Sequence, residues 1–210
     1  MSQSIRSQRW QRRKEDRPAE LLDAALSEFF EKGFAAARLE DIAARAGVSK
    51  GTVYLYFDSK EDLFKAVVRE SLLPNIAQAE ELARDFRGPT AELLTALFTN
   101  VGRLIATTKI GAIPKLVISE AGNFPDLARF YIREVIRRAF RLIGMILKRG
   151  MDRGEFRALD VPQTARAFAC AFLFVAIWKH AMEAHDKERL DAEAFLANYL
   201  GLVLHGLLKG

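Results

Sequence analysis

The sequence predicts an all-α fold, and three observations carry that prediction. Apolar residues recur at helical spacing through most of the 210 residues. No stretch has the apolar–polar alternation of a half-buried strand. Glycine and proline gather between the periodic stretches, at Gly33, Gly47, Gly88-Pro89, Gly122 to Pro125, Gly154 and Pro162, where helices should stop and start. The front of the chain is small and basic, and the back is larger and more apolar.

Residues 1–17 carry Arg6, Arg9, Arg12, Arg13, Lys14 and Arg17 and read as a basic, flexible arm. Pro18 suits the first turn of a helix, where its missing N–H costs nothing. Leu22, Ala25, Leu26, Phe29 and Phe30 follow at helical spacing until Gly33. "LEDIAARAG" is a short second helix, and "SKGTVYLYF" a third. The fourth runs from Ser59 to about Leu82; Ser59 is its N-cap, and Asp62 completes a capping box. Pro74 removes one backbone hydrogen bond inside it, which favours a kink. Longer helices are expected near 90–107, 110–121, 125–153, 162–185 and 191–208. The expected division is an arm over 1–17, a first domain over 18–64 and a second over 65–210.

A net charge of +5 and a pI near 9.4 favour an acidic or nucleic-acid partner. Cys170 is the single cysteine, so no internal disulfide forms and a reducing cytoplasm is the expected location. It lies in an apolar run and is expected as inert packing. The opening "MSQSIRSQRW" lacks the apolar core of a signal peptide. The longest apolar run, Ala167 to Trp178, falls short of the roughly 18 residues a membrane span needs, so no membrane is expected. There is no nucleophile–base pattern, phosphate-binding glycine loop or catalytic pair of carboxylates. His180, His185 and His205 lack zinc spacing. Neither an enzyme nor a metal nor a cofactor is expected.

The front end carries the informative motif. Ala43, Gly47 and Val53 are spaced as two crossing helices require. The crossing wants a small residue, the turn between wants positive φ, and the second helix returns an apolar residue into the angle. Ile42, Ala46, Val48 and Phe57 complete the packing set; an ordinary helical hairpin would look the same so far. On the third helix Val53 and Phe57 share a face, while Lys50, Gly51, Tyr54 and Leu55 point elsewhere. Its first turn, Ser49 to Thr52, holds no acid although helix N-termini favour acids, as though phosphates occupied that space. Gly51 allows close backbone approach, and Lys60 adds a charge near the next helix start. Leu55 either meets a thymine methyl or packs on the first helix, the second being favoured.

The run "GFAAARLEDIAARAGVSKGTVYLYFDSKEDLFKAVV" resembles the DNA-binding domain of TetR-family transcriptional regulators, over about residues 18–68. "KLVISEAGNFPDLARFYIREVIRRAF" resembles the C-terminal domain of one subset of that family. The resemblance implies an all-α homodimer: a three-helix, helix-turn-helix DNA-binding domain followed by a larger helical domain for ligand binding and dimerisation. DNA contacts are then expected at Ser49, Lys50, Gly51, Thr52, Tyr54 and Tyr56, with Lys60 on a phosphate. One departure stands out. Many members place Thr or Ser before the second helix as a cap; here Ala37 and Arg38 stand there. The lost cap costs about 1 kcal/mol, and Arg38 is a substitute phosphate contact. Lys50 suits guanine O6 or N7, whereas Tyr54, Tyr56 and Lys60 would set register on the backbone.

In the back end, the last two helices are apolar on more than one face. Phe168, Phe174, Phe195, Tyr199, Val203 and Leu207 are the expected dimer contacts. For a ligand pocket, Phe98, Leu104, Ile113, Val117 and Phe124 supply bulky surface, with Tyr131, Phe172 and Trp178. Glu120 is the expected polar handle, alongside Asn123, Glu134 and Arg138. Arg129, Arg133, Arg137 and Arg141 form one stripe, read as a solvated face. The function expected is a ligand-responsive, sequence-specific regulator, a cytoplasmic homodimer on a palindromic duplex operator. A small apolar or amphipathic effector would release it. Repression is favoured over activation, which depends on operator position; a protein-binding helical adaptor is the remaining alternative.

Overall fold

The computed structural model describes the backbone of residues 2–207 and the side chains of residues 18–207. The expected arm, residues 1–17, lies outside the described side chains. Ten α-helices and no strand occur among the described residues. The chain divides into two compact units, Met1–Glu70 and Ser71–Gly210.

The first unit holds α1 (Ser2–Ala36), α2 (Leu39–Arg45), α3 (Lys50–Tyr54) and the start of α4 (Lys60–Asp85). Pro18 lies inside α1 rather than at its first turn. Gly33 breaks the helical path of α1, with φ 80° and ψ 164°, and Gly47 takes φ 65° between α2 and α3; both are left-handed values that glycine adopts without strain. Leu21, Ala25 and Phe29 of α1, Ile42 and Ala43 of α2, and Val53 of α3 are buried together with Leu63 and Phe64 of α4. At their centre Phe29, Phe34 and Phe64 touch in a triangle with ring centres 5.3–5.5 Å apart. Edge-to-face rings of this kind add about 0.5–1.5 kcal/mol beyond their buried area. Charged groups tie α1 to α2 outside this core. Arg45 pairs with Glu28 at 2.9 Å and also with Glu31, while Lys32 reaches both Glu28 and Asp41.

Helix α3 is shorter than its periodicity predicts. After Tyr54 the amides of Leu55 and Tyr56 bond back to Thr52 and Val53, three residues earlier, which tightens the last turn and frees the chain to restart. Ser59 then caps α4, its hydroxyl accepting from the Asp62 N–H at 3.1 Å.

The second unit continues α4 and adds α5 (Thr90–Thr107), a 3-10 turn over Lys109–Ala112, α6 (Ile113–Glu120), α7 (Pro125–Tyr131), α8 (Arg137–Asp152), α9 (Val161–Ile177) and α10 (Ala192–Leu207). The single helix expected over 125–153 is α7 joined to α8 through one π turn, Ile132–Ile136. A second π turn, Trp178–Met182, extends α9. The helical stretch Val161–His185 is by length and composition able to cross a membrane, contrary to the shorter run read from the sequence. Phe168, Ala171 and Val175 on it are buried against Leu93, Leu97, Ile146 and Leu196. Phe98 is the hub of this core, with Phe168, Phe172 and Tyr199 at 5.2, 4.5 and 6.2 Å.

His180, in the second π turn, donates from Nε2 to the Ile105 carbonyl at 2.8 Å; a carbonyl only accepts, so Nε2 carries the proton. Burial, and secondarily the Lys115 and Lys179 charges, hold its pKa below the ordinary 6.5, partly opposed by that carbonyl. The unfolded chain therefore takes up a proton that the fold refuses. Stability should be full above about pH 6.5 and fall as the pH drops through that value toward the folded pKa. Urea midpoints at pH 7.5 and 5.5 check this: His180→Gln should flatten the fall, and an equal fall in the variant would place its cause elsewhere.

Candidate nucleic-acid interface and cleft

The first unit presents α3 on its surface while Val53 fixes it from below. Val53 is fully buried, and Gly47 and Val48 close the turn with amides bonded to the Ala44 and Ala43 carbonyls at 3.1 and 2.9 Å. Ser49 caps α3, its hydroxyl accepting from the Thr52 N–H at 3.3 Å and lying 3.0 Å from the Thr52 hydroxyl. Lys50, Gly51, Tyr54 and Tyr56 are exposed, and Thr52 is half-buried. Tyr54 is 48% exposed. Leu55 is 81% exposed, which corrects the favoured expectation that it packs on the first helix. Arg38 is exposed at the N-cap of α2 and makes no side-chain cap bond, as the departure at this position implied.

Two lysines behave differently from one another. Lys50 pairs with Glu40 of α2 and lies 5.7 Å from the Tyr54 ring centre. The hydrogen bond to Glu40 raises its pKa, and the same bond lowers that of Glu40. Lys60, expected on a phosphate, points inward. Its ammonium donates to the carbonyls of Phe34, Ala35 and Ala37 at 2.7, 2.9 and 3.1 Å and sits 4.7 Å over the Phe34 ring. An ammonium has three donors, and all three are used. Lys60 thus acts as a clamp in this structure: the carbonyls left open where α1 ends converge on it.

In the second unit the expected pocket residues do not assemble. Phe98, Ile113, Val117 and Tyr131 are buried in packed cores. Phe172 is half-buried against the Phe98 ring, and Trp178 stacks on Phe174 with ring centres 5.5 Å apart. Glu120 and Phe124 are half-buried elsewhere on α6 and after it. Arg138 pairs with Glu80 through two bonds of 2.8 and 2.7 Å. Leu104 alone of the expected set lines a cleft of about 490 Å³ between α4 and α5. Ala79, Leu82, Leu97 and Val101 give that cleft apolar surface, and Asn75, Gln78, Asn100 and Arg103 give it polar groups. The sequence held one signal for it: Asn100, Arg103 and Thr107 recur at i, i+3 and i+7, a polar stripe on an apolar helix.

The expected dimer contacts also divide. Phe168 and Leu207 are buried inside their own chain, at 0% and 4% exposure, so they belong to the core rather than to an interface. Phe174, Leu173 and Leu202 are exposed, and Phe195 lies 4.8 Å from Phe174. Tyr199 donates to the Ala167 carbonyl at 2.7 Å. Cys170 is exposed, a correction to its expected place in packing; its thiol faces the Arg166 carbonyl at 3.4 Å. Among the described residues no cluster of His, Cys, Asp and Glu could hold a metal ion.

Comparison with known proteins gives a consistent picture. The profile described as "Bacterial regulatory proteins, tetR family" matches residues 21–67, and that of the "AefR-like transcriptional repressor, C-terminal domain" matches residues 92–199. The transcriptional repressor KstR2 of Rhodococcus jostii is 28% identical over 196 residues, 92% of each chain. The structure of KstR2 from Mycobacterium tuberculosis, a ketosteroid transcriptional regulator, superposes with TM-score 0.71 at 26% identity, covering 92% of this chain and 96% of that one. The transcriptional regulator FadR of Bacillus subtilis, solved in complex with stearoyl-CoA, shares the fold with TM-score 0.73 at 24% identity, covering 90% and 98%.

The inward lysine generates a test. Lys60→Met keeps the apolar stem and removes the ammonium, so stability in urea should fall by about 2 kcal/mol. The salt dependence of DNA binding should not change. A phosphate contact would give the reverse, an unchanged urea midpoint and a salt slope smaller by about 0.9.

Proposed function

The chain belongs to the TetR family of bacterial regulatory proteins, and on that footing we propose that it is a homodimeric repressor that an amphipathic effector releases from a palindromic operator. The observation that carries this reading is the outward set on α3. Ser49, Lys50, Gly51 and Tyr54 are exposed above a buried Val53, and the first turn of α3 holds no acid. Such a face suits the major groove: Lys50 for guanine O6 or N7, Thr52 for a base edge, and Leu55 for a thymine methyl. Tyr54 and Tyr56, with Arg38, suit the phosphates that set register. Operator binding places the protein in the cytoplasm, with the DNA.

Dimerisation is supported by the apolar surface on α9 and α10. Leu202 is 69% exposed and Phe174 40%, and a large apolar surface left open on a protomer favours a partner. The two-fold axis of such a dimer would repeat α3 at about 34–36 Å, one turn of the duplex.

The effector site is the cleft between α4 and α5. Its apolar lining and its polar groups, Arg103 among them, suit a molecule with an acyl or polycyclic body and a polar head. The stearoyl-CoA held by the Bacillus subtilis relative is of that kind. Helix α4 runs from Lys60, in the first unit, through Asn75 and Leu82 of the cleft, so it is the covalent route from effector to operator. The effector shifts operator binding only by its differential affinity for the two conformations, which is typically about 5–150-fold.

Titration with a series of long-chain acyl thioesters tests this. Operator affinity should fall within that range, and Leu104→Trp, which fills the cleft, should abolish the fall while sparing operator binding. Binding of the thioester without a change in operator affinity beyond about twofold would leave a ligand site but no switch.

A further inference from the structure

We propose that Glu40 is a specificity-determining residue of the DNA-binding face, acting as a positioning residue through Lys50. The inference rests on reading α3 as the helix that enters the groove. Glu40 lies in the first turn of α2, and its carboxylate pairs with the Lys50 ammonium at the start of α3. Both side chains are half exposed, at 52% and 50%. A pair so open to water contributes little to stability.

Its neighbours in the first unit are different. Arg45 is bound to the buried Glu28 and to Glu31, and Lys60 to three carbonyls; these cations hold α1, α2 and α4 together. Lys50 holds no such corner. Its carboxylate partner instead stands on the surface that meets a polyanion, where an acid works against the phosphate-backbone part of binding. The Arg38 charge also bears on Glu40 and lowers its pKa further, so one carboxylate offsets two of the cations expected at the duplex.

The cost is useful if it falls unequally. Glu40 takes one of the three ammonium donors, and the Tyr54 ring lies 5.7 Å from Lys50 Nζ, so the remaining donors have a set direction. A guanine edge offers two acceptors, O6 and N7, at fixed positions, and Lys50 can meet them without leaving Glu40. A phosphate accepts an ammonium from many directions and gains mainly from its charge, which Glu40 cancels. The carboxylate therefore subtracts from binding to arbitrary DNA and spares the matching base pair. Specificity is a difference of affinities, and weakening the wrong partner widens it.

The test uses the full chain, its selected operator and a scrambled duplex of equal length, with affinities taken from 0.1 to 0.4 M salt. Glu40→Gln should tighten binding to the scrambled duplex about fivefold near 0.15 M salt and steepen the slope by about 0.9, the effect of one further released counterion. The ratio of operator to scrambled affinity should fall by at least the same factor. Glu40→Asp, which keeps the charge, should keep the wild-type slope. In a Lys50→Met background, Glu40→Gln should leave the ratio unchanged, any change in slope through Arg38 falling on both duplexes alike. Thermal melts confirm that each variant is folded. An unchanged ratio and slope in Glu40→Gln, or the same change in both backgrounds, would overturn the inference and leave the DNA-binding reading intact. A wild-type protein that does not distinguish the two duplexes would overturn that reading itself.

Discussion

Three backbone carbonyls, those of Phe34, Ala35 and Ala37, converge on the ammonium of Lys60. They lie in the last turn of α1 and just beyond it, a place where helix ends leave carbonyls without partners. The family's usual Ser or Thr cap is missing here, with Ala37 buried and Arg38 unable to cap α2. Lys60, the first residue of α4, donates to the open carbonyls of that corner, a task separate from capping the α2 amides, which need an acceptor. The same ammonium sits over the Phe34 ring, and Phe34 packs on Phe29 and Phe64. One residue thus joins the end of α1, the start of α4 and the aromatic core. The placement of α2 and α3 follows, since both lean on that core through Ile42, Ala43 and Val53.

A fixed α3 is what makes its outward side chains usable. Recognition of base edges needs donors held in position; a swinging lysine would be attracted to DNA without reading it. The unit separates the two tasks between its cations. Lys60, Arg45 and Lys32 are committed to internal partners, and Lys50 and Arg38 remain at the surface near Glu40. The net charge of +5 therefore overstates what faces the duplex.

Much of this was legible in the sequence. Ala43, Gly47 and Val53 gave the crossing of α2 and α3, because backbone sterics restrict those positions to few residue types. Five of the later helices were legible from their breaks at Gly88-Pro89, Gly122 to Pro125, Gly154 and Pro162. The inward course of Lys60 was not legible, because a lysine near a helix start looks the same whether its ammonium faces phosphate or open carbonyls. Only the path of the chain between Gly33 and Leu39 decides that. That the expected pocket residues do not assemble was not legible for a related reason. Phe98, Ile113, Val117 and Tyr131 have helical spacing, but periodicity does not separate a residue that lines a space from one that fills it. The polar stripe Asn100, Arg103 and Thr107 lines the cleft, but all three residues are exposed, so in sequence the stripe looks like any solvated face. Phe168 and Leu207 show the same ambiguity at the presumed dimer surface: an apolar helix with two faces does not say which face is inside.

On the proposed function, α3, held by Val53 and the Lys60 corner, reads DNA as one of a symmetric pair. Selection of bound duplexes from a random library, with the unmodified protein, tests it most directly. The predicted result is an enriched inverted repeat whose half-site centres are separated by about 10–10.5 base pairs or a multiple of that spacing, with a guanine at one position in each half. Recovery of duplexes with no shared sequence, or of a single unrepeated site, would contradict it.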